Sequence, residues 1–167
     1  MSRPATETMD IYTNTGSKWT ALAIGAAALV LSPFDGEGIH VGCQLVDRLT
    51  YPLFHAGFLH AFCNAWCLIS LVFIYDLPWH KTALAFAIAI SIPPCFLTAT
   101  PVVGMSGACF ALMGLTVYVV RRKAMLMSWI ALFLLLGFLF PNVAAWVHVY
   151  CYAVGLAVGA LTHRRHG

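Results

Sequence analysis

The stretch VVGMSGACFALMG, residues 102–114, sets Ser106 between two glycines at the start of an apolar run. It is one of several such runs. Of 167 residues, 61% are hydrophobic and 9% charged, and the mean hydropathy is +0.85. Soluble domains are roughly half apolar and about a quarter charged. This composition implies an all-α integral membrane protein. A span needs about 20 residues, so the length admits about six spans and no separate soluble domain.

Apolar segments run at about 19–34, 57–75, 82–99, 105–120, 125–140 and 143–162. Pro93-Pro94 should kink or end the third. The expected organisation is a polar tail over 1–18, a six-span domain over 19–162 and a basic end over 163–167. The tail lacks the charged start and apolar core of a signal peptide. If the N-terminus is cytoplasmic, Arg3, Lys18, Lys81, Arg121, Arg122, Lys123, Arg164 and Arg165 lie inside, and Arg48 alone of the nine Lys and Arg lies outside. That bias puts both termini in the cytoplasm. The net charge of +3 therefore concerns topology, and no nucleic-acid partner is expected. Cys43, Cys63, Cys67, Cys95, Cys109 and Cys151 lie mostly within apolar runs, as small hydrophobes and not as a disulfide framework.

In this topology Ser106, His148, His55, His60 and Asn64 come from three spans and cluster at one depth, below the outer surface. An unpaired amide or hydroxyl in an alkane-like medium costs about 4–8 kcal/mol, so these groups should face one another or a wet cavity. His60 and Asn64 are four apart and share a helix face. His148, Cys151, Gly155 and Gly159 form one stripe on the last span. Gly107, Ala111 and Gly114 form a stripe of small residues on the fourth. Helices joined by such stripes approach closely, bringing Ser106 within hydrogen-bond reach of His148, as a base needs to activate a hydroxyl. Free N–H groups of the first turn after Ser106, with the side chains of His60 and Asn64, are candidate oxyanion donors. Gly104 and Gly107 permit a tight turn and close backbone approach. No carboxylate lies in the spans near His148. A Ser-His dyad is the simplest reading, and it implies slow turnover, because loss of the orienting Asp from a soluble triad costs about 10⁴ in kcat.

The set HAGFLHAFCN (His55, His60, Asn64), GMSG (Gly104–Gly107) followed by ALMG, and His148 preceding Gly155 and Gly159 resembles the rhomboid family of intramembrane serine proteases. The resemblance implies a six-helix rhomboid-like bundle in which Ser106 is the nucleophile and His148 the base. His60 and Asn64 would hold the oxyanion, with His55 supporting them. The fifth span would be a lateral gate for a substrate helix. Expected partners are transmembrane protein substrates and the bilayer. The expected location is the bacterial inner membrane, with the site opening outward. No cofactor is implied, and the oligomeric state stays open. Three departures stand out. The usual Trp-Arg pair of the first outer loop reads Val46-Asp47, with Arg48 one later. Phe110 stands where many members have Tyr. Cys151 replaces the first glycine after the histidine.

Other readings compete. Ser106 could merely cap a helix, and His148 and His60 could be hydrogen-bonded core histidines. Gly155 and Gly159 could serve packing within the chain or in a dimer. His55, His60, Cys63, Cys67, His148 and Cys151 could in principle ligate a metal, but no HExxH pair occurs, so no metal site is expected. A non-catalytic rhomboid-like binder of transmembrane helices is the alternative to an enzyme. A small transporter would need polar residues in the inner halves of the spans, which contain almost none.

Overall fold

The computed structural model describes residues 14–121, 123–139 and 143–163. Among them are seven α-helices: α1 (Thr15–Leu31), α2 (Leu45–Thr50), α3 (Phe58–Ile74), α4 (Trp79–Ile90), α5 (Ser106–Thr116), α6 (Lys123–Leu139) and α7 (Ala145–His163). Two 3₁₀ turns, Tyr51–Leu53 and Pro94–Phe96, interrupt the loops. A helix occupies each of the six apolar segments, and α2 is additional, within the stretch that joins α1 to α3.

Helix lengths fall short of the expected spans in several places. Among the described residues α7, with 19 residues, is by itself long and apolar enough to cross a membrane. The α2 segment and α3 pass that test together, but they are bent by 86°. α1 and α6 have 17 residues each and α5 has 11. α4 ends at Ile90, ahead of Pro93-Pro94.

α5 forms the centre of the bundle. All ten residues from Gly107 to Thr116 are buried, against α3, α4 and α7. Close contact with α7 requires the absence of side chains. A β-carbon on Gly155 would run into the Ala111 carbonyl, and one on Gly114 would come within 2.6 Å of Tyr152 O and Leu156 N. The glycines of α7 therefore serve packing inside this chain. Cys151 fits the same seam, since its Sγ would lie 3.3 Å from a β-carbon on Gly107.

α1 begins at Thr15, four residues before the expected boundary. Lys18 pairs with Asp76 at 2.7 Å, and the Asn14 side-chain amide donates to Asp76 O at 2.7 Å. The start of α1 is thereby pinned to the end of α3. The Lys18 ammonium beside Asp76 holds its carboxyl below the usual carboxylate range. Asp76 has φ +46°, and Leu77 N–H donates to Val72 O at 3.1 Å, a left-handed helix stop closed by a six-residue bond. The rest of the expected tail (1–13), Arg122 and the basic end beyond His163 lie outside the described residues.

The loop between α1 and α3 and the loop between α4 and α5 are tied together. Ile39 and Val102 exchange backbone bonds of 2.9 and 3.0 Å, and Val41 N–H donates to Thr98 O at 3.0 Å. Arg48, on α2, donates to Ile90 O at 3.4 Å and Ile92 O at 2.7 Å. The arginine thus satisfies carbonyls left over where α4 ends, and its cation sits at the negative end of that helix.

The surface is inverted relative to a water-soluble protein. Trp19, Val30, Leu59, Trp66, Ile74, Trp129, Leu135 and Leu139 are exposed, whereas His55, Asn64 and His148 are buried. α6 is nearly all outward-facing, with only Leu126, Ile130 and Gly137 buried. Apolar exposure on this scale marks a surface that meets lipid or another apolar partner.

Candidate active site

Ser106 is the first residue of α5 and His148 lies in the first turn of α7. The glycine-lined seam between those helices sets their separation. Ser106 Oγ is 2.8 Å from His148 Nε2, hydrogen-bond distance for an alcohol donating to an imidazole. The Phe110 ring stacks on the imidazole, with centroids 4.5 Å apart and planes 22° apart. Ring contact therefore survives without a hydroxyl at position 110. The four described carboxylates are Asp35, Glu37, Asp47 and Asp76. Asp47 accepts from Gln44 N–H and Asp76 is paired with Lys18.

Two donors on α3 lie against Gly104, in the turn that leads into Ser106. Ala56 N–H donates to His60 Nδ1 at 3.4 Å, which leaves the ring proton of neutral His60 on Nε2. That nitrogen would lie 3.0 Å from a β-carbon on Gly104, and Asn64 Nδ2 would lie 3.1 Å from it. The Asn64 amide nitrogen is buried and has no hydrogen-bond partner. Most buried polar groups are satisfied, and an orphan invites explanation by function. Gly104 has φ +110°. It makes the turn into α5 and leaves room for both donors.

His55 touches both the serine turn and His60. Its Nε2 accepts the Met105 N–H at 3.4 Å, and its Nδ1–H donates to Leu53 O at 3.2 Å. The ring touches His60 edge-on, with centroids 5.1 Å apart. His55 thus holds the residue before Ser106 and buttresses His60. Burial, then His60 nearby, pushes its pKa down to about 4, against the opposing pull of the Leu53 carbonyl. The ring stays neutral, as acceptance at Nε2 requires. With Met105 N–H so engaged, the helix-start donors left for a ligand are those of Ser106, Gly107 and Ala108.

Tyr51 was not singled out by the sequence. Its carbonyl accepts the Gly104 N–H at 3.1 Å, and its hydroxyl donates to Ala89 O at 3.0 Å. Burial raises the pKa of this hydroxyl far above its ordinary value, so it remains a donor. Through its backbone carbonyl and its hydroxyl, this one residue ties the serine turn to α4. No motif marks it, because both partners are backbone atoms.

A cavity of about 570 Å³ opens between α3, α5, α6 and α7, lined by Asn64, Ser106, His148 and apolar side chains including Phe62, Trp66 and Phe133. Among the described residues no three His, Cys, Asp or Glu side chains are grouped so as to hold a metal ion. The arrangement brings a hydroxyl, an imidazole and unsatisfied donors to one cavity wall, the components of acyl transfer through a covalent intermediate.

A sequence model of the Rhomboid domain matches residues 42–165. The chain belongs to the rhomboid family. The match spans every residue of the cluster just described, from Tyr51 to His148. No curated protein and no solved structure matches this rhomboid chain. The family comprises intramembrane proteases and inactive homologues, so the chemistry of this member must be argued from its own site.

Proposed function

We propose that this rhomboid is an intramembrane serine protease, cleaving peptide bonds in or near transmembrane segments of other membrane proteins. The observation that carries the reading is the 2.8 Å contact between Ser106 Oγ and His148 Nε2, in a cavity whose Asn64 amide has no partner. In the proposed topology α1, α3, α4, α5, α6 and α7 make six crossings of the bacterial inner membrane. Both termini are cytoplasmic and the site opens to the outer side. The positive-inside bias and the inverted surface support this arrangement.

In the reaction a substrate segment leaves the lipid past the exposed α6 and unwinds in the cavity. His148 Nε2 takes the Ser106 proton as Oγ attacks the scissile carbonyl carbon. His60 Nε2–H, Asn64 Nδ2–H and the N–H groups at the start of α5 receive the developing oxyanion. The imidazolium gives its proton to the leaving amine, and water activated by the same ring hydrolyses the acyl-enzyme. Phe110 keeps the imidazole in plane, and His55 and Tyr51 hold the serine turn.

The test is cleavage of a reporter transmembrane substrate by purified protein in lipid vesicles. Wild type should cleave, and Ser106→Ala and His148→Ala should not. Cleavage by both variants at the wild-type rate would refute the reading. Substrate binding without cleavage by wild type would instead mark a helix-binding homologue.

A further inference from the structure

A second cavity lies at the opposite end of the bundle from Ser106. α3 leads away from the serine cluster to Ile74, and α4 starts beyond it at Trp79. Between α1 and α4 a cavity of about 260 Å³ is lined by Thr20, Ile24, Trp79, Thr82, Ala83 and Phe86. Thr82 is 4% exposed, and its hydroxyl has no hydrogen-bond partner. A threonine inside a helix can donate to the carbonyl four residues back, as Thr20 does to Gly16 O at 2.9 Å. Thr82 does not. A buried orphan of this kind in an apolar wall calls for an acceptor from outside the chain.

The start of α4 adds a positive field. Pro78 gives the helix no side-chain cap. The Lys81 N–H turns back to Pro78 O at 3.0 Å, whereas the N–H groups of Trp79 and His80 belong to the first turn and have no intrahelical acceptor. Lys81 is half-buried and forms no ion pair among the described residues. The carboxylate that precedes the helix, Asp76, is already taken by Lys18 at 2.7 Å. Free donors, the helix dipole and an unpaired ammonium together favour an anion at this end. Trp79 is 64% exposed, as suits a ring at a membrane interface. Thr82 lies about 4.5 Å farther along the helix axis than Trp79, and Phe86 lies one turn beyond Thr82.

We propose that the cavity binds one diacyl phospholipid with an anionic headgroup. The phosphate and headgroup sit at the start of α4 beside Lys81. One turn deeper, an ester carbonyl accepts the hydrogen bond of the Thr82 hydroxyl. The acyl chain of that ester runs over Ala83, Ile24 and Phe86. A lipid presents phosphate, ester and hydrocarbon in order of depth, and α4 presents cation, hydroxyl and apolar side chains in the same order. The cavity has room for one extended chain and too little for a partner helix, which is about 10 Å across. The site is independent of the chemistry at Ser106. Only its assignment to the cytoplasmic leaflet rests on the proposed topology.

The test places the purified chain in phosphatidylcholine vesicles containing a trace of phosphatidylglycerol with a diazirine on one acyl chain. After irradiation, peptide mass spectrometry locates the adducts, and those on the outward-facing α6 serve as the reference for casual lipid contact. Adducts on α1 and α4 should exceed that reference several-fold, and the excess should vanish when phosphatidylcholine carries the diazirine. Thr82→Val keeps the shape and removes the hydroxyl, so it should lower the α4 adducts by about 2–10-fold, the worth of one hydrogen bond. Lys81→Gln should bring the two lipids to equal labelling. Ala83→Trp, at an exposed position, should fill the cavity and reduce α4 adducts to the reference. Unchanged α6 adducts in each variant report an intact fold. The proposal is overturned if α1 and α4 label no more than α6, if both lipids give the same excess, or if Thr82→Val leaves the excess untouched. It is also overturned if α1 and α4 escape labelling while α6 does not, as a second copy seated there would produce. None of these outcomes requires activity at Ser106, so failure of the protease reading leaves them readable.

Discussion

Replacing Gly104 by Ala separates the catalytic role of the serine turn from its stability. Gly104 has φ +110°, a conformation that costs a residue with a side chain about 1–3 kcal/mol. The added β-carbon also meets His60 Cε1 at 2.8 Å, His60 Nε2 at 3.0 Å and Asn64 Nδ2 at 3.1 Å. Ordinary contact begins at 3.4 Å, so the His60 ring must retreat by about 0.6 Å and the Asn64 amide by about 0.3 Å. Both proposed oxyanion donors are displaced together. Losing one such donor costs about 10²–10³ in kcat, and Gly104→Ala should slow fluorophosphonate attachment at Ser106 by at least about 10²-fold. Gly42 provides the control. It too has positive φ, +87°, but a β-carbon there meets nothing within 4 Å. Gly42→Ala should lose similar stability in a thermal melt and keep its labelling rate. The reasoning is refuted if Gly104→Ala labels within threefold of wild type, or if Gly42→Ala is equally slow.

Other perturbations probe the supporting parts. Gly155→Ala drives a methyl into the Ala111 carbonyl, forcing α7 from α5, two turns along the stripe from His148. We expect about 1–3 kcal/mol of destabilisation and about 10²-fold slower labelling. Ala111→Gly should not rescue it, because the collision is with backbone. Arg48→Ala removes a charged donor from Ile90 O and Ile92 O; a thermal melt should register a loss of about 2 kcal/mol. Burial lowers the pKa of His55 in the folded protein from its ordinary 6.5 to about 4, so the folded state binds fewer protons between those values. Its contribution to stability is complete above pH 6.5 and is lost as pH falls toward 4. His55→Gln should flatten that part of the stability profile, and a profile identical to wild type would exclude the role of His55.

The stripes on α5 and α7 were readable because 3.6-residue periodicity reports which residues share a helix face. Small residues on both faces announced a close crossing, and Ser106 and His148 lay at matching depth. Periodicity gives each helix's faces but not its rotation against neighbours, which is why the reach of the Cys109 thiol to Asn64 O could not be anticipated. The same limit hid Tyr51, whose partners are the N–H of Gly104 and the carbonyl of Ala89, and the partner of His55, the N–H of Met105. Backbone partners leave no residue-type signal. α2 was missed because six residues carry too little pattern to distinguish a short helix from a loop. Arg48, counted only as the odd charge outside, turned out to satisfy carbonyls exposed by the Pro93-Pro94 break. Helix ends near Thr15 and Ile90 depended on an ion pair and on that break, neither of which hydropathy measures.

The central claim is that His148 makes Ser106 a nucleophile. It is tested most directly by the site and rate of fluorophosphonate attachment in purified wild type and His148→Ala, with the adduct located by peptide mass spectrometry. The account predicts an adduct on Ser106 in wild type and attachment slower by about 10²–10⁴ without the imidazole. An adduct elsewhere, no adduct at all, or equal rates in the two proteins would contradict it.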